Sequence, residues 1–187
     1  MEKELRKSLI IATVITSVLG TLAHFAYDWS GGNRLVGLFT AVNESTWEHM
    51  KLLFFPMLLV SLILVSLKKE EYPCLLPRLL LGNLVGTFLI PVLFYTYSGI
   101  LGKNVDFINI SIYYICVTVA YYIAYRVSSG KMADSDCSGM LTNVLLFVTF
   151  VLVLAFFIFT YYPPELGIFE DPTDLQSALK NIYLYPL

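Results

Sequence analysis

Charge is scarce in this sequence. Only 14% of its residues are Asp, Glu, Lys or Arg, against about a quarter in an ordinary soluble domain. Histidine is rarer still, with 2 in 187 residues. The net charge of −2 leaves no basic surface, which excludes nucleic acid as a partner. Cys74, Cys116 and Cys137 form no CxxC pair and no zinc-ligand spacing, and free thiols are expected at all of them. No G-x-S-x-G turn marks a serine nucleophile. Internal repeats and low-complexity tracts are also missing, and the length leaves no room for a separate soluble domain.

Apolar residues are abundant instead. They make up 57% of the chain, with a mean hydropathy of +0.72. They come in blocks, and about 20 such residues cross a hydrocarbon core as a helix. Five spans are predicted, near 8–27, 48–67, 75–97, 106–125 and 141–162. The fold class is therefore all-α: one integral membrane domain over 1–187, a bundle of five transmembrane helices. The first block resembles a signal peptide, with Lys3, Arg6 and Lys7 ahead of it. Its run is long, however, and His24 stands where cleavage after Ala26 needs a small residue, so it is read as a span.

Lysine and arginine set the expected orientation. With the N-terminus in the cytoplasm, Lys3, Arg6, Lys7, Lys68, Lys69, Arg78, Arg126 and Lys131 lie inside. Arg34, Lys103 and Lys180 lie outside. The positive-inside bias predicts a plasma-membrane protein with its C-terminus extracytoplasmic. Residues near 35–43 are apolar but too short to span, and read as a re-entrant segment. In the tail, 163–187, Pro163-Pro164 stops the fifth helix. Asp171-Pro172 then opens a short amphipathic helix with Leu175, Ala178, Leu179 and Ile182 on one face. That helix is expected to lie on the outer surface and cover the site.

The polar residues gather at the outer ends of the helices. On the first, Thr13, Ser17, Gly20, Thr21, His24 and Asp28 share a face expected to point into the bundle. Helix packing accounts for Thr13 through Thr21 but not for His24 and Asp28. The second helix opens on Asn43-Glu44-Ser45-Thr46-Trp47-Glu48-His49-Met50-Lys51. Ionisable groups at bilayer depth are costly, so they pair, line a wet cavity or do chemistry. Ser45-x-x-Glu48 is a capping-box pattern, and Lys51 can neutralise a glutamate at i,i+3. On a regular helix Glu44, Glu48 and His49 cannot converge on one atom. His49 turns either to His24 and Asp28 or to another neighbour. Tyr95 near the end of the third span and Asp106, Asn109 and Tyr113 in the fourth reach the same depth. Gly82-x-x-x-Gly86 is a close-packing face, and Pro56 is expected to kink the second helix.

His24-Phe-Ala-Tyr-Asp28-Trp-Ser-Gly31, followed by Asn43 to Lys51 and Phe54-Phe55-Pro56, resembles the signature of an uncharacterised family of small bacterial multi-pass membrane proteins. The family pattern has a proline near Ala41, which this chain lacks. The resemblance covers about the first third of the chain and implies no activity. Ceramidase-like hydrolases also carry acidic, serine and histidine residues near helix ends. Their zinc needs three histidines, and this chain has 2 and no HxxxH.

Three functions are weighed. The first is binding or transport of an ion or small polar solute in an outward-facing pocket, with Asp28, Asn43, Glu44, Glu48, Lys51, Tyr95 and Asn109 as ligand-binding candidates. The second is a metal-dependent membrane hydrolase acting on a lipid head group. There His24, Asp28, Glu44 and His49 hold a divalent metal and Glu48 is the catalytic base. The third is a structural or accessory subunit. The expected partners are the lipid bilayer, a small ion or solute and, in an assembly, further copies of the chain as a homo-oligomer.

Overall fold

The computed structural model describes residues 2–129 and 139–171, and these are all-helical with no strand. Helix α1 runs Glu2–Trp29, α2 is the single turn Arg34–Gly37, and α3 runs Thr46–Lys68. Helices α4 (Leu75–Leu101), α5 (Asp106–Ser129) and α6 (Gly139–Tyr161) complete the order. All but α2 are long and apolar enough to cross a membrane, which makes five candidate spans. The segment expected after Asp171, with Leu175 to Ile182, lies outside the described residues.

Helix α3 forms the centre. Met50, Lys51, Leu53, Phe54 and Met57 are fully buried, as expected of a helix surrounded by neighbours. It packs against α1 and α4, and α5 bridges α4 and α1. Phe156 of α6 is buried against Trp47 and Phe54. The opposite faces of α1 and α6, including Ile11, Val14, Val18, Phe147 and Phe150, are exposed apolar surface suited to lipid.

Small residues decide how closely the helices approach. A Cβ on Gly82 would strike the carbonyl of Ala120, and one on Gly86 would lie 2.7 Å from the Ala120 methyl. The Gly82/Gly86 face therefore seats α4 on α5. Gly20 does the same for α1, since its Cβ would overlap the Tyr113 hydroxyl and the Leu52 carbonyl. Pro56 carries no N–H, so that Leu52 carbonyl has lost its helical donor. Helix α3 nevertheless continues through Pro56.

Two expectations change here. The face of α1 that enters the bundle is Leu5, Leu9, Ala12, Thr16 and Gly20. It is turned roughly a quarter revolution from the expected polar stripe, at about 100° per residue. Thr13 and Thr21 do not need the interior, because each hydroxyl bonds the carbonyl four residues back. Cys74 is disulfide-bonded rather than a free thiol. Cys116 is free and buried, while Cys137 lies outside the described residues.

The 35–43 stretch forms α2 and turns. Asn33 caps α2 by accepting from the Leu35 amide at 2.9 Å. Lys51 donates to the Gly37 carbonyl and Glu48 accepts from the Val42 amide. These side chains supply the backbone partners that an irregular segment needs away from water.

Candidate metal centre and its cavity

The polar run at the start of α3 divides into two clusters because the helix begins late. Ser45 is its N-cap, with an Oγ that accepts from the Glu48 amide at 3.3 Å. Only this half of the capping box forms. The Ser45 amide bonds Asn43 Oδ1 instead of Glu48. Glu44 therefore precedes the helix, and its direction is not fixed by the helical wheel.

The first cluster is closed. Glu48 and Lys51 are 2% and 0% exposed, with Nζ and Oε2 2.6 Å apart. Glu48 also accepts from the Val42 amide at 2.9 Å and from Thr160 Oγ1 at 3.1 Å. Lys51 donates to the Gly37 carbonyl at 2.7 Å and to Thr160 Oγ1 at 2.8 Å. One ion pair thus ties α2, the following loop, α3 and α6 together. Neither side chain lines the cavity.

The second cluster is open. One ligand atom each from His24, Glu44 and His49 lies within 4.8 Å of the others. Glu44 sits 3.7 Å from His24 Nε2 and 3.4 Å from His49 Nε2. The two contacts use different carboxylate oxygens, Oε1 towards His24 and Oε2 towards His49, and zinc donors lie roughly 3.4 Å apart, so the three side chains would close in on a bound ion. His49 Nδ1 is 2.9 Å from the Ser45 carbonyl. A carbonyl only accepts, so Nδ1 carries the proton and a neutral His49 presents a bare Nε2. A carbonyl in this position fixes the tautomer and ring orientation, as it does for metal-binding histidines. His24 Nδ1, by contrast, is buried with no hydrogen-bond partner. Glu44 is held through its backbone, whose amide donates to Asp171 at 3.0 Å.

The three residues line a cavity of about 520 Å³ among α1, α3, α4 and α5. Asn104, Asp106 and Asn109 line it from the α5 side. Asn109 donates to Asn104 Oδ1 at 2.7 Å, and the Tyr97 hydroxyl lies within hydrogen-bond reach of both asparagine side-chain oxygens, to one of which it donates. Leu52, Ile90, Phe94 and Ile110 supply apolar wall.

The structure brings His24, Glu44, His49 and Asn109 to this cavity. The other sequence candidates are placed elsewhere. Asp28, one turn beyond His24, is exposed and outside the group of three. Asn43 braces the cap, and Tyr95 donates to the Gly167 carbonyl. Asn104 escaped the sequence reading because it lies in the connection before α5, outside any periodic pattern.

The model of a family of unknown function, DUF6512, matches residues 1–177. The chain belongs to this family. No curated protein and no solved structure matches it. Family membership is consistent with a multi-pass membrane protein of five apolar helices and carries no activity with it.

Proposed function

We propose that the protein is a membrane metal-binding protein in which His24, Glu44 and His49 hold one divalent transition metal. The convergence of these three ligand atoms on the cavity wall carries this reading. Two imidazoles and a carboxylate suit zinc or iron(II) and leave coordination positions free. Because the three residues line the cavity, a metal held by them could polarise a ligand oxygen there or activate water. The free coordination positions favour the enzyme reading over passage of a solute. On this reading Glu48 and Lys51 serve the fold, and Asn109 contacts the ligand.

We place the site on the extracytoplasmic side of a bacterial plasma membrane, from the lysine and arginine balance. Thiol labelling of single-cysteine variants in intact cells tests this orientation. The His24–Gly31 and Asn43–Lys51 stretches are, on this reading, the family's signature.

The test is elemental mass spectrometry on protein purified in detergent without chelators. Near-stoichiometric zinc, iron or manganese, absent from a His24→Ala/Glu44→Ala double variant, is expected. Failure to retain metal after incubation with each of the three ions would overturn the proposal. Glu44→Gln should lose the metal while keeping its expression level.

A further inference from the structure

The cavity beside the metal ligands is polar at one end and apolar at the other. His24, Glu44, His49, Asn104, Asp106 and Asn109 cluster where α1 and α4 end and α3 and α5 begin. Leu52 and Ile90 line it further along their helices, about 9 Å from the start of α3 and about 16 Å from the end of α4 at 1.5 Å per residue.

The cavity also reaches the side of the bundle. Phe25, Ile110 and Tyr114 line it and are still 46%, 59% and 41% exposed. These residues belong to α1 and α5, whose outer surfaces would meet lipid. A water-soluble ion or sugar needs no apolar floor and no opening towards the bilayer. A molecule with an oxygen-bearing head and a hydrocarbon chain needs both.

We propose that the cavity binds a single-chain amphiphile with an anionic oxygen head group, admitted sideways from the bilayer between α1 and α5. The head lies between the metal site and the Asn104/Asn109 wall. The chain lies against Leu52, Ile90, Phe94 and Ile110. A volume of about 520 Å³ is in the range of small-molecule pockets and holds a head with part of one chain. The placement of the head rests on the metal reading, whereas the chain slot rests on the cavity lining alone.

The probe is a dodecanoic acid carrying a diazirine near mid-chain, mixed with the protein in lipid nanodiscs and photolysed. Adducts are mapped by mass spectrometry. Leu52 and Ile90 are each 5% exposed, so lipid on the outer surface does not reach them. Adducts at Leu52 or Ile90 are expected. They should fall severalfold in Ile110→Trp, which fills the side opening, while bound metal is unchanged. Thr21→Phe obstructs the same opening from α1 and substitutes if the first variant misfolds.

Adducts confined to outward residues such as Val14, Val18 and Phe147 would overturn the proposal, whether or not metal is bound. Cavity adducts in a protein that retains no metal would instead overturn the metal reading and leave the slot standing.

Discussion

Glu48–Lys51 and His24–Glu44–His49 draw on the same short stretch at the start of α3, and their surroundings differ in almost every respect. Lys51 is fully buried, and its charge faces a carboxylate, a carbonyl and a hydroxyl. Glu44 is 48% exposed, with His24 and His49 at 29% and 33%. In the first cluster every charge is answered by protein. In the second a carboxylate faces two imidazoles across gaps too long for good hydrogen bonds, and one ring nitrogen has no partner at all. A saturated cluster holds helices together. An unsaturated one beside a cavity leaves donor atoms free.

The comparison breaks most severely if one charge of the closed pair is removed. Lys51→Met strands a buried carboxylate, at a cost of roughly 3–5 kcal/mol. The folded yield in detergent should collapse. Glu48→Gln/Lys51→Met removes both charges and should recover part of that loss, because the two sites share one interaction. Equal loss in the single and double variants would mean that the pair is not the reason for its burial.

A smaller effect, felt by both stability and site, is expected at Gly20. Gly20→Leu forces α1 away from Tyr113 and Leu52. Overpacking of this kind costs about 1–3 kcal/mol. Because α1 carries His24, metal binding should weaken with it, as read by thermal unfolding with and without added zinc. Unchanged metal affinity would show that His24 is placed independently of the helix contact.

His49→Ala sharpens the contrast. Losing even an outer-shell partner weakens metal binding roughly 10–100-fold, and a ligand should cost at least that. The unfolding midpoint of the metal-free protein should barely move, since His49 is a third exposed. A large stability loss without a metal effect would move His49 into the structural cluster.

The smallest effect is expected from Asp28→Asn. Exposed and outside the ligand set, it should change stability by no more than about 0.5 kcal/mol. Its metal content should equal that of the unmodified protein. Loss of metal would add Asp28 as a fourth ligand.

The sequence was most informative where the physics is local. All five spans follow from apolar blocks, and each observed helix overlaps its predicted range. The Ser45 cap and the Gly82/Gly86 contact follow from residue types at fixed spacing. His24, Glu44, His49 and Asn109 were recognisable because ionisable and amide groups are rare in such a chain. Their separation from Glu48 and Lys51 was not, because all of them fall at one depth.

Composition and hydropathy by themselves determined that this is a membrane bundle with a polar end. They did so because the cost of exposing polar backbone to hydrocarbon forces each apolar block into a helix. The tertiary structure alone decided which polar groups meet. The wheel of one helix says which residues share a face, not which neighbour that face finds, and lipid gives an apolar side chain little preference between bilayer and bundle. Close contacts at Gly20, Gly82 and Gly86 therefore set the rotation of the helices. The late start of α3, with Asp171 holding the Glu44 amide, turned a run of charges into one closed pair and one open site.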